Sequence, residues 1–174
     1  MSEELDDFAV EVADQIESFL IALGAVARGD FPDGALSILL LEVSQLLLAG
    51  ARLGAIVDVV PDERFEPDAG MDPDADVLRE RLATLLAPID EYSELFDPYD
   101  GTTEVVASRL SDDLSDVAAD LVHGLQHFRT GGKLEALWWW QYSYLANWGS
   151  TASSALRALH SAVAHTRLDV ETAG

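Results

Sequence analysis

All four tryptophans of this chain lie within eleven consecutive residues, Trp138 to Trp148, inside a run from Lys133 to His165 whose apolar positions recur at helical spacing. At about 100° per residue, Trp138, Gln141, Leu145, Trp148, Ala152, Leu156, Leu159 and Val163 fall on one continuous stripe. Trp139, Trp140 and Tyr144 leave that stripe on other sides, so a helix built here must be covered on more than one flank. This segment therefore reads as the spine of the molecule. It predicts an all-α protein, an up-and-down bundle of about five helices that forms one domain over residues 1–174.

The remaining sequence can supply such a bundle. At 174 residues the chain can bury roughly 70% of its unfolded surface, and its 49% apolar content is ample for a core. The longest apolar stretch, Leu36 to Val60, is interrupted by Glu42, Gln45, Arg52 and Asp58, which speaks against a membrane span. The amino terminus is acidic where a secretory signal would be basic, so a cytoplasmic location is expected. Without cysteine, disulfides, thiolate catalysis and iron–sulfur clusters are excluded. The net charge is −22, with Lys133 the only lysine. A field of that sign repels phosphate backbones and anionic lipid, so no direct nucleic-acid or membrane partner is expected. Solubility, including adaptation to a salty cytosol, is a sufficient account of the acidity.

Taken in order, Ser2 is an N-cap for a first helix, with Leu5, Phe8, Val12, Ile16, Phe19, Leu23 and Val26 on its buried face and an end near Arg28-Gly29. A second helix opens at Asp33 or Gly34 and runs to about Val59. It is apolar nearly all round, with Glu42, Gln45, Ala49 and Arg52 as its solvent edge. An acidic loop, about 60–76, is longer than a compact bundle needs, which hints at a role; Phe65 is placed to pin it. Asp72-Pro73 reads as the start of a third helix burying Leu78, Leu82, Leu85 and Ile89. Pro88 breaks or kinks that helix, so Ile89 to Phe96 reads as a further short one. After a turn at 97–101, a fourth helix starts between Thr103 and Ser111 and stops at Thr130-Gly131-Gly132. The Trp-rich fifth helix runs to about Thr166, and 168–174 should fray.

No catalytic motif is recognisable. The sharpest chemical candidate is the fourth helix, where Asp113, Asp116 and Asp120 fall within an arc of about 60° beside Arg109 and His127. Carboxylates at such steps can share Mg²⁺, with Glu135 as a further ligand, and would suit a hydrolase of phosphorylated small molecules like the all-α pyrophosphohydrolases. Against this stands a solvated face with an Arg109–Asp113 pair, and with it an expectation of no cofactor. Asp120 and His123 form a single acid-x-x-His pair, whereas di-iron bundles need two; His123 is expected at the surface. Asp72, Asp74 and Asp76 begin like a calcium loop, but Val77 and Ala83 stand where glycine and glutamate are required. Exposed parts of Trp139, Trp140, Tyr144 and Phe65 are candidates for docking another protein, since aromatic residues are enriched where partners bind.

Several strings carry a family resemblance: Leu39-Leu-Leu-Glu-Val-Ser-Gln45, Asp62-Glu-Arg-Phe65, Leu110-Ser-Asp-Asp-Leu-Ser-Asp116, and Glu135-Ala-Leu-Trp138 with Asn147-Trp-Gly149 and Ala155-Leu-Arg-Ala-Leu-His160. They resemble a bacterial domain of unknown function met mainly in actinobacteria. The resemblance implies a helical cytoplasmic protein and brings no activity with it; the setting of some members near a DNA-recombination mediator implies a protein partner. The expectation is a non-enzymatic protein-binding or scaffolding role, with the Mg²⁺-dependent hydrolase as its alternative.

Overall fold

The computed structural model describes residues 2–169. Its elements are α1 (Glu3–Ala27), α2 (Ala35–Ala55), α3 (Asp76–Leu85), a two-stranded hairpin of β1 (Glu91–Glu94) and β2 (Val106–Arg109), α4 (Leu110–Arg129), α5 (Lys133–Ser143), a π-helical turn (Tyr144–Trp148) and α6 (Gly149–Leu168). The last three form one unbroken rod, because the residues at both joints keep right-handed helical backbone angles. With the rod counted once, five helices among the described residues make the all-α up-and-down bundle. The fraying expected at 168–174 falls largely outside the described residues.

Each boundary has a local cause. The Ser2 side chain accepts a hydrogen bond from the Leu5 amide at 3.3 Å, and Arg28 closes α1 before Gly29 turns away at φ +81°. The next helix stops four residues short of expectation, and the agent is Gln141 from the rod. Its Oε1 accepts from the Val59 amide at 2.7 Å, while its Nε2 donates to the carbonyls of Leu53 (3.0 Å) and Val57 (3.2 Å). A buried side-chain amide thus satisfies backbone groups that a further helical turn would otherwise have paired. The third helix begins at Asp76 rather than at Asp72-Pro73, with the Asp74 carboxylate receiving the Asp76 amide at 2.9 Å.

The largest departure from expectation lies between α3 and α4. Residues 91–94 form a strand rather than a short helix, paired antiparallel with β2 so that Glu91 faces Arg109 and Glu94 faces Val106. This hairpin brings Asp90 beneath the start of α4. Its carboxylate takes the Ser111 amide at 2.7 Å and the Ser111 hydroxyl at 2.8 Å, and its carbonyl takes the Leu110 amide at 2.9 Å. The cap of α4 therefore comes from 21 residues upstream. At the other end of α4, Gly131 adopts φ +90° and reverses the chain into α5.

The core gathers Phe19, Leu23, Leu39, Leu46, Leu53, Leu82, Leu114, Leu121, Leu125, Trp140, Trp148 and Leu159, drawn from α1, α2, α3, α4 and the rod. The α4–α5 seam is close because Gly124 has no side chain; a Cβ there would overlap the Trp140 indole. That indole donates to the Leu121 carbonyl at 3.2 Å, and its neighbour Trp139 donates to the Asp120 carbonyl at 2.8 Å. The π turn adds a residue to one turn of the rod and shifts the phase of everything after it. Trp148, Ala152, Ala155 and Leu159 consequently face the core, while Leu145, expected on the same stripe, is 64% exposed.

Candidate functional site

The aromatic residues singled out in the sequence do not share a surface. Trp140 is 0% exposed, so it is a core residue and not a docking residue. Trp139 is half-buried, its ring 4.4 Å from the His123 ring centroid and its N–H committed to α4. Tyr144 is half-buried as well, lying where side chains at Gly50 and Gly54 would otherwise stand. Only Phe65, 77% exposed, is free on the surface, and it therefore does not pin its loop to the bundle.

The aspartates of α4 are likewise drawn to separate partners. Asp116 receives the Arg79 guanidinium at 2.9 Å, and Asp112 receives it at 3.2 Å. Arg79, partly desolvated, is held more firmly protonated by Asp116, Asp112 and Asp76. Asp113 instead accepts a hydrogen bond from the Tyr92 hydroxyl. Burial, with Glu94, Asp116 and Asp112 nearby, pushes the Asp113 carboxyl up to about 6 despite the Tyr92 hydrogen bond, and burial likewise raises the Tyr92 phenol. Asp120 accepts from Asn147 Nδ2 at 2.7 Å, and burial raises its pKa too. Arg109 pairs with Glu91 at 3.0 Å, not with Asp113. Glu135 lies apart from these aspartates, on a cavity of about 300 Å³ lined also by Arg64, Phe65, Glu66 and Trp138. The proposed Mg²⁺ set of Asp113, Asp116, Asp120 and Glu135 is thus not assembled.

What the structure does assemble is Glu66, His123 and His127. Positions 123 and 127 are one turn apart on α4, so both imidazoles leave the same face. Glu66 reaches them from the crossing between α2 and α3. Its Oε1 lies 2.5 Å from His123 Nε2 and 2.7 Å from His127 Nε2. His127 is almost wholly buried, and His123, expected at the surface, is largely covered by Trp139 and stands edge-on to His127. Burial pushes the Glu66 carboxyl up, but hydrogen bonds from His127 and His123 and their charge outweigh it and hold the group below the usual carboxylate range. Nearby, Gln126 Nε2 donates to the Met71 carbonyl at 2.9 Å and ties down the same crossing. Sequence reasoning missed this cluster because its third member stands 57 residues from His123. The visible signal was the His-x-x-x-His spacing beside an overlong acidic loop.

Another region stands out by what it lacks. Across α2 and α6, Glu42 is the one acidic residue, in a chain that carries 32. The two helices pack on each other, and α2 shows Leu41 (55% exposed) and Leu48 (65% exposed) to solvent. Between them lies a cavity of about 560 Å³ lined by Leu40, Ser44, Ser153, Leu156, Arg157 and His160. By length and composition alone α2 could cross a bilayer, with a mean hydropathy of 1.6 over its most apolar window.

These features define an all-helical bundle with a partly buried imidazole–carboxylate cluster and one outer face nearly free of acid. The chain belongs to the family described as Domain of unknown function (DUF5063), whose model matches residues 3–165. Protein BF1032 from Bacteroides fragilis, known from its crystal structure, is similar in fold, with a TM-score of 0.71 and 21% identity over 89% of this chain and 91% of that one. No curated protein matches the chain.

Proposed function

We propose that this protein is a non-enzymatic binding or scaffolding module that receives a basic partner protein on the outer face of α2 and α6. The observation that carries the reading is the near absence of acid from those two helices in a chain of net charge −22. Exposed Leu41 and Leu48 offer apolar contact, and the cavity between the helices accepts an anchoring side chain. The acidic surroundings attract a partner of opposite charge and steer it to the bare face. An amphipathic helix with Lys or Arg flanking its apolar stripe has the matching chemistry. Two helices about 30 Å long present roughly 600–800 Å², the size of one side of a standard interface.

A second copy of the chain is disfavoured, since it would press two strongly negative rims together. Membrane insertion is disfavoured too, because the inner face of α2 fills the core with Leu39, Val43, Leu46 and Leu53, and Arg52 pairs with Glu11 of α1 at 2.6 Å.

A photo-crosslinking amino acid placed at Leu48 in the native cell tests this, with Glu104 as the control position. The expected product is a basic protein captured from position 48 alone, lost at high salt and lost when Leu41→Asp is added. Capture of a second copy, flotation of the purified protein with lipid vesicles, or identical products from both positions would overturn it.

A further inference from the structure

We infer that Glu66, His123 and His127 form a binding site for a first-row divalent transition-metal ion of the zinc class. Three donors from two separate parts of the fold aim at one point, with their ligand atoms all within 4.8 Å of one another. A cation between them needs about 2.0–2.1 Å to each imidazole nitrogen and about as much to the carboxylate oxygen, so Glu66, now 2.5 and 2.7 Å from the two nitrogens, would draw back to admit it.

The site has the marks of prior construction. Two of the chain's four histidines occupy one turn of α4, the spacing by which a helix offers both rings to a single ion. One of them, His127, is a nearly fully buried polar side chain aimed into the cluster. The other has its ring plane set by Trp139, which is itself fastened to the Asp120 carbonyl. Only Glu66 has freedom to adjust, because it comes from a segment without helix or strand.

The donor set decides the kind of ion. Imidazole favours zinc and its first-row neighbours, whereas Mg²⁺ takes oxygen ligands and keeps its water. Three protein donors leave a fourth position open to water, unlike a closed structural zinc site, and the cavity of about 300 Å³ adjoins Glu66. Binding would also fasten the 56–75 crossing to α4, coupling the ion to the exposed Arg64-Phe65 bond two residues before the ligand.

Titrating Zn²⁺ into the chelator-stripped full-length protein, in millimolar Mg²⁺ to occupy the acidic surface, is the direct test. The expected result is one ion per chain, with affinity reduced at least about tenfold in Glu66→Gln and about a hundredfold in His123→Asn. Co²⁺ should give the intense visible bands of a four- or five-coordinate site, and Zn²⁺ should slow tryptic cleavage after Arg64 in the parent but not in Glu66→Gln. His127 is too deeply buried for its variant to be decisive, whereas Glu66→Gln lies on the crossing and leaves the core untouched. Equal zinc affinity in all three proteins, or the pale spectrum of octahedral Co²⁺, would overturn the assignment.

Discussion

Two regions of this molecule handle charge in opposite ways. On α4, four aspartates stand within nine residues, and each has a particular partner: Arg79 for Asp112 and Asp116, Tyr92 for Asp113, Asn147 for Asp120. The outer face of α2 and α6 is almost free of acid and shows leucine to solvent. A coat that served solubility alone would spread carboxylates over every exposed helix. Here the acids are held in specific contacts in one place and withheld in another, a contrast that solubility does not require and that the proposed docking on α2 and α6 would explain.

Substitutions can break or sharpen that contrast. The largest effect is expected from Gly124→Ala, because the new methyl group meets the Trp140 indole across the α4–α5 seam. Thermal unfolding should show a loss of about 2–4 kcal/mol, and zinc affinity should fall with it. Gln141→Leu leaves the Val59 amide and the carbonyls ending α2 without their partner, at about 2–3 kcal/mol. It should loosen the start of the 56–75 crossing, which hydrogen exchange at Val59 would report.

Asp113→Asn should act through pH. The folded-state pKa of Asp113 is raised to about 6 from an ordinary 3.8, so its ionisation opposes folding. That group's contribution is fully present below pH 4 and is lost as pH rises through 6. The asparagine variant should therefore match the parent near pH 4 and gain about 1 kcal/mol above pH 7, the value discounted for the group's partial exposure. Denaturant melts at the two pH values measure this. Least of all, Leu41→Asp should stay within about 0.5 kcal/mol of the parent while abolishing the crosslink from position 48. A large stability loss there would mean that the bare face is structural.

The helices were readable because their signals are local. The spacing of Leu5, Phe8 and Val12, and the Gly29 and Gly131 stops, need no knowledge of the rest of the chain. What escaped depends on distant partners. Glu91-Tyr-Ser-Glu94 is too short and too polar to announce a strand, and it becomes one only because 106–109 pairs with it. The end of α2 is set by Gln141, 82 residues beyond Val59, and a glutamine on an apolar stripe does not disclose that role. Within the candidate site, His123 and His127 were visible and their spacing was available. Glu66 was one acid among many in its loop, so the third donor could be recognised only in three dimensions. Trp140 misled for a related reason: aromatic residues are enriched where partners dock, while Gly124 had already made room for this ring inside.

The π turn at Tyr144–Trp148 sets a rule for how this protein can change length. Removing one residue there would restore a regular helix and leave Ala152, Ala155 and Leu159 facing their present neighbours, whereas a deletion elsewhere in the rod would rotate everything beyond it by about 100°. A single-residue change of length is therefore tolerable at this turn, while insertions and deletions elsewhere along the rod must come in near-whole turns to keep its two halves in register.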